Sequence, residues 1–163
     1  MPRRDLQQLS DDAYIWIFGI SPALDEAGEV KMLRRVDAFL DQWAAHGAPI
    51  ESARDLIEGS FLVIAAEKTS ERSGCSIDRL FGTLRALESE LDVAILDANR
   101  VFFRHGDGRA GAMSRSEFRD KANAQTIVFD TTVESLRDIR TDAWERHAGD
   151  SWHRDLLKKP AVV

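Results

Sequence analysis

The segment Ser73 to Asp78 reads Ser-Gly-Cys-Ser-Ile-Asp and contains the only cysteine of the chain. It lies where an apolar run gives way to a helical pattern. A glycine before a small polar run at a helix start leaves backbone N–H groups without intrahelical partners, and these favour an anion or a thiolate. Cys75 is therefore a candidate nucleophile. The alternative is a small side chain packed under a helix cap, because unpaired cysteine is among the most buried residue types.

Residues elsewhere in the chain could complete a site around this thiol. His46 is followed by Gly47, and we expect it at the end of a helix, where the helix dipole favours the imidazolium. A cation beside a thiol stabilises the thiolate, so His46 is the predicted base or charge partner of Cys75. We expect Arg104 to act as an anion clamp. The predicted ligand-binding residues are Ser73, Gly74, Ser76, Asp78 and Arg104.

Each of these residues also has a purely structural interpretation. His46 could be a helix C-cap, Asp78 could be a first-turn charge that complements the helix dipole, and Arg104 could lie at a strand end in solvent. The chain has four histidines, and none shows the paired spacing of metal ligands with another histidine or with Cys75. The sequence therefore predicts no metal site.

Missing motifs and the composition narrow the class of protein. The chain lacks a phosphate loop of the form G-x-x-x-x-G-K-S/T, a dinucleotide G-x-G-x-x-G and a G-x-S-x-G elbow, so we expect no cofactor. Its net charge of −6 argues against a general nucleic-acid surface. A single cysteine fits a reducing compartment, and the apolar runs are far shorter than the roughly 20 residues of a membrane helix. These features predict a cytoplasmic protein without a membrane or nucleic-acid partner.

Apolar patterns predict six elements in the first two thirds of the chain. Continuous apolar runs predict buried strands, and repeats at three and four residues predict helices with one apolar face. The predicted strands cover 13–18, 50–57, 61–66 and 101–103; the predicted helices run from 25 to about 46 and from 73 to about 91.

The order strand, helix, strand, strand, helix, strand predicts an α+β fold with a ferredoxin-like split βαβ core (βαββαβ). Its two uninterrupted apolar strands, 13–18 and 61–66, match the central strands of that fold. We assign residues 1–108 to this core and residues 109–163 to an α/β C-terminal extension packed on it as one globular unit. The helices would cover one face of the sheet, and the extension or a dimer partner the other.

This topology would bring the chemistry-bearing residues together. In a split βαβ sheet the first helix ends at the edge where the second begins, so residues 43–47 should converge with 73–75. The fourth strand also ends there, which would bring Arg104 to the same place. The predicted pairing of His46 with Cys75 therefore depends on the predicted fold.

Three segments together resemble a family of small bacterial proteins. They are Phe39 to Gly47, which ends Trp-Ala-Ala-His-Gly, the Ser73 to Asp78 segment, and Asp-Ser-Trp-His at 150–153. With 61–64 and 126–129, the resemblance covers most of the chain. The family is largely uncharacterised and often carries the automatic label "ABC transporter ATPase", but an ABC-type ATPase needs a Walker phosphate loop that this chain lacks. The resemblance implies that the 43–47 and 73–78 segments are a family signature.

The sequence leaves two classes of function open. The first is a thiolate or anion-binding pocket at Cys75 with His46, in a thiol-dependent enzyme or a binder of a small anionic ligand. The second is a non-catalytic protein-interaction module or a self-associating homodimer, in which the same segments only pack a helix-end junction.

Overall fold

The computed structural model describes residues 3–70 and 72–159, which form helices and antiparallel strands. The strands are β1 (Tyr14–Gly19), β2 (Ala44–Ala45), β3 (Ala48–Pro49), β4 (Ser52–Ile57), β5 (Phe61–Ala66), β6 (Arg100–Arg104), β7 (Ala110–Ser114), β8 (Ile127–Phe129) and β9 (Glu145–His147). The helices are α1 (Glu26–Asp41), α2 (Gly74–Leu91), α3 (Arg115–Lys121) and α4 (Leu136–Arg140), with 3-10 turns at Leu6–Gln8, Ala148–Asp150 and Trp152–Leu156. The predicted α+β class is confirmed. Residues 1–2 and 160–163 of the predicted domains lie outside the described residues.

The first sheet has the strand order β1-β5-β4, and both pairings are antiparallel. Strand β5 is central, and all six of its residues are buried because strands flank it and other elements cover both of its faces. One face packs against α1 and α2, where Leu62 and Ile64 meet Val36 and Leu84. These contacts hold the two helices on one side of the sheet.

The second sheet covers the opposite face of the first. Its order is β7-β6-β8-β9. Side chains from both sheets form one buried cluster that includes Ile15, Ile17, Phe61, Val63, Phe102, Phe129 and Trp144. The outer face of the second sheet packs against α3 and the C-terminal turns through Val101, Phe103, Val128, Phe118 and Leu156. The layers are therefore helices, sheet, sheet and a thinner helical cover.

The strand order does not confirm the predicted ferredoxin-like core. That fold places the fourth strand beside the first, whereas β6 pairs with β7 and β8 in the second sheet. The Phe102 ring of β6 fills the space over Gly19, where a side chain would otherwise lie. Strand β6 therefore packs against the face of β1 at Gly19, and the β1 edge opposite β5 is paired through β1 residue Tyr14, in an isolated bridge to Ser135.

Two further features concern the described residues only. Within 3–70 and 72–159, no helix combines the length and apolar character needed to cross a lipid bilayer. In the same ranges, no three His, Cys, Asp or Glu side chains are grouped in a way that could hold a metal ion.

The contact between Phe102 and Gly19 gives a first prediction. A β-carbon at Gly19 would overlap the Phe102 ring, so Gly19→Ala should destabilise the protein by about 1–3 kcal/mol through overpacking. Gly82 lies inside α2, and a β-carbon there meets nothing within 4 Å. Gly82→Ala should therefore stabilise the protein by about 0.5–1 kcal/mol. Urea unfolding of both variants measures these changes, and equal changes would contradict the packing described.

Candidate functional site

A groove runs along the open edge of β1. Strand β1 itself lines this groove. We name this cavity, of about 730 Å³, the β1 groove. It falls within the roughly 300–1,000 Å³ of typical ligand sites. Its lining comes from residues 14–18 of β1, from Ser70, Arg72, Ser73, Gly74 and Ile77 around the start of α2, and from residues 131–134.

The floor of the β1 groove is a strand edge that is only partly paired. At one end, the Ile15 N–H donates to the Glu134 carbonyl and the Leu136 N–H donates to the Ala13 carbonyl, both at 3.0 Å. This pairing stops after Ile15. Because backbone groups alternate in direction along an antiparallel strand, the N–H and C=O of Ile17 face the same side as those of Ile15. The described residues offer these groups of Ile17 no partner.

The start of α2 forms one wall of the β1 groove. The Ser73 hydroxyl accepts a hydrogen bond from the Ser76 N–H at 3.1 Å, and the Ser76 hydroxyl donates to the Ser73 carbonyl at 2.7 Å. This cap fixes the first turn and leaves the N–H groups of Gly74 and Cys75 without intrahelical partners. The predicted ligand-binding residues Ser73 and Gly74 thus line the groove, whereas Ser76 is buried in the cap.

Two cationic side chains lie at the Tyr14 end of this wall. The Arg72 guanidinium lies 3.6 Å from the centre of the Tyr14 ring, and the Lys68 ammonium lies 5.4 Å from it. Within the described residues, no carboxylate forms an ion pair with either cation. This end of the β1 groove therefore favours a negatively charged group.

Cys75 and Asp78 are both exposed on the first turns of α2. Neither lines the β1 groove. The interpretation of Cys75 as a buried side chain under a cap is therefore wrong. Its role as a nucleophile stays a prediction.

The structure places His46 differently from the prediction. Helix α1 ends at Asp41, and His46 and Gly47 form the turn of the β2–β3 hairpin with φ angles of 52° and 80°. Two central residues with positive φ are typical of a type I′ hairpin turn, and glycine takes up such a conformation without strain. His46 is thus exposed in a turn and lies outside the helix whose dipole was expected to act on it.

The hairpin nevertheless packs against α2, as the sequence predicted for these two segments. The Trp43 indole N–H donates to the Ser76 carbonyl at 2.9 Å, and the Arg79 guanidinium donates to the Ala44 carbonyl at 3.3 Å. Across the described part of the chain, no hydrogen bond joins His46 to Cys75. The contact between these segments therefore runs through Trp43 and Arg79.

Arg104 lies on β6, away from the lining of the β1 groove. Its guanidinium bonds to the carboxylates of Glu58 and Glu145 and lies 4.8 Å from the centre of the Phe129 ring. Hydrogen bonds to Glu58 first, and then to Glu145, raise the pKa of Arg104 above its ordinary value. Two carboxylates thus already match its charge. The predicted convergence of Arg104 with Ser73 and Gly74 does not occur because β6 belongs to the second sheet.

A buried polar cluster fixes the other wall of the β1 groove. Asp130 accepts hydrogen bonds from the Thr132 N–H at 3.0 Å, the Trp152 indole at 3.3 Å and the Arg146 guanidinium at 3.3 Å. These bonds set the turn that leads into residues 131–134. Sequence reasoning missed this wall, although the Asp-Ser-Trp-His motif at 150–153 supplies Trp152 to the cluster.

His153 belongs to the same region and is 2% exposed, with its Nδ1 2.7 Å from the Ser151 hydroxyl. Its pKa is lowered from 6.5 to about 4, chiefly by burial. The Asp130 carboxylate opposes this shift, and the Arg146 and Arg115 charges add to it. The folded protein therefore keeps His153 neutral under conditions in which the unfolded chain binds a proton.

This shift predicts a stability that falls with acidification. Because the unfolded state binds the proton first, the contribution of His153 is fully present above pH 6.5 and is lost progressively as the pH falls towards 4. Its loss should amount to about 3 kcal/mol. Urea unfolding between pH 7.5 and 4.5 measures it. His153→Gln should remove this part of the pH dependence, and the exposed His147→Gln should retain it; an unchanged slope in His153→Gln would contradict the assignment.

Comparison with known proteins identifies no relative of this chain. No protein-family model, curated protein or solved structure matches the chain. The family resemblance carried by the 43–47, 73–78 and 150–153 motifs therefore stays a prediction.

Proposed function

We propose that this protein is a non-catalytic binding protein that holds an extended ligand in the β1 groove. One observation carries the proposal: the floor of an open cavity of about 730 Å³ is a strand edge with unpaired backbone groups. Unpaired backbone groups at a strand edge are a ready-made template for another extended chain or ligand.

The walls of the groove support a ligand with an apolar body and a negative end. Trp16, Ile77 and Val133 supply apolar surface along the groove. Arg72, at the Tyr14 end, supplies a cation. Ser70, Ser73, Thr131 and Thr132 also line the groove, so its surface mixes apolar and polar groups.

Two glycines of α2 provide a test with a matched control. Gly74 lines the β1 groove and Gly82 does not, and a β-carbon at either position meets nothing within 4 Å. Gly74→Trp should fill the groove, whereas Gly82→Trp should leave it open. The probe is a library of small aromatic carboxylic acids, and the readout is the amide spectrum in two-dimensional NMR.

Binding compounds should shift the amide signals of Ile17, Gly74 and Val133 in the native protein and in Gly82→Trp. Their affinity should fall at least about tenfold in Gly74→Trp, since a filled groove excludes them. Shifts that cluster elsewhere, or that persist unchanged in Gly74→Trp, would exclude the β1 groove as the site.

A thiol-dependent or anion-binding site at Cys75 is the second candidate. Its support is the exposure of Cys75 on the first turn of α2, beside the hairpin that carries His46 and is held to α2 through Arg79. For such a site, iodoacetamide should modify native Cys75 rapidly at neutral pH, and His46→Ala should slow the reaction. The control is the exposed His147→Ala. Equal rates of Cys75 modification in the native protein, His46→Ala and His147→Ala would show that His46 takes no part in the site.

We place this protein in the cytoplasm, free of nucleic-acid partners. Its single cysteine cannot form an internal disulfide, and its net charge of −6 opposes phosphate backbones.

A homodimer in which two copies of the chain pair through the edge of β1 is the alternative to ligand binding in the groove.

A further inference from the structure

We propose that the occupant of the β1 groove is the C-terminal end of a partner polypeptide, which adds to β1 as a short antiparallel strand. This inference rests on the proposed function and names its ligand class. Four features of the groove carry it: the direction of the free backbone groups, the length of the free edge, the position of the cations and the recessed strand.

The free backbone groups of β1 are complementary to those of an extended peptide. The Ile20 N–H donates to the Ser60 carbonyl at 2.7 Å, so even-numbered residues of this stretch point towards β5. Ile17 consequently presents one donor and one acceptor to the groove. An extended peptide supplies the complementary acceptor and donor at the spacing of a strand, about 4.8 Å from β1.

The free edge is short because it is closed at both ends. Ile15 is bonded to Glu134 at one end, and Ser21 pairs with Ala94 at the other. About four residues of β1 remain between them, which matches a partner segment of similar length. A chain that ran past Ile15 would meet residues 133 and 134, so the partner strand must end there.

The cations lie at that closed end. Arg72 and Lys68 both lie over the ring of Tyr14, the first residue of β1. A peptide whose C-terminus stops short of Ile15 points its terminal carboxylate towards these cations, and it then runs antiparallel to β1. Charge complementarity and the closed edge thus select the same orientation. Arg72 is half-buried, whereas the side chains of Glu134 and Lys68 are exposed, so solvent screens both of the latter charges.

A second copy of this chain fits the groove less well. The start of α2 and residues 131–134 line the groove together with β1, so the free edge lies between two walls. Two such recessed edges cannot approach to the 4.8 Å that strand pairing needs. A single extended segment can enter where a whole β1 edge cannot.

The test uses a library of hexapeptides with four random C-terminal residues and a free terminal carboxylate. The best binder is then compared with its C-terminal amide and with versions that carry one backbone N-methyl group. The amide should bind at least about tenfold more weakly, since a charge-assisted contact is lost. N-methylation should weaken binding at alternate residues only, because a strand presents every second N–H to its neighbour.

Variants of the protein separate the parts of the inference. Arg72→Gln should weaken the free acid about tenfold and leave the amide unchanged, whereas Arg34→Gln, an exposed arginine of α1, should affect neither. Equal affinity of acid and amide, or N-methyl effects without the two-residue period, would overturn the inference. A concentration-dependent dimer that Gly74→Trp abolishes would also overturn it, in favour of a second copy.

The outcome also distinguishes this inference from the proposed function. If aromatic acids bind in the groove and no peptide does, only the peptide assignment fails. If Gly74→Trp leaves the affinity of every probe unchanged, the β1 groove is not the site and both proposals fail.

Discussion

The packing of Phe102, Phe129 and Trp144 against one face of the first sheet is the contact on which the rest of the structure depends. That face consists of apolar side chains such as Ile15, Ile17 and Val63, and burying them requires a second apolar layer. Strand β6 provides part of that layer, so it cannot also extend the first sheet beside β1. The open edge of β1, and the groove above it, follow from this choice.

Local pattern was enough to predict the apolar strands and the start of α2. Strands β1 and β5 are continuous apolar runs, and Ser73 caps α2 as its residue type suggests. The partner of β6 was not predictable in this way. Its apolar residues suit a strand in either sheet, and the choice depends on a contact between Phe102 and Gly19 that no local pattern reveals.

The candidate site likewise contains features that local pattern encodes and features that depend on contacts between distant residues. The position of Ser73 and Gly74 at a helix start was predictable because their cap is encoded within four residues. The wall at 131–134 instead depends on contacts of Asp130 with Trp152 and Arg146. His46 was misplaced because a glycine after a helical pattern is typical of a helix stop. Here Gly47 serves a hairpin turn instead, and the helix has already ended at Asp41.

The short pairing between Ile15 and Glu134 joins segments that are far apart along the chain. A nascent chain that still lacks the later segment has the whole outer edge of β1 uncovered, together with the face that the second sheet later buries. Exposed strand edges of apolar composition promote aggregation. Synthesis therefore passes through an interval in which the apolar edge of β1 is exposed to aggregation, and protection of β1 by a chaperone during that interval would spare the chain from premature pairing.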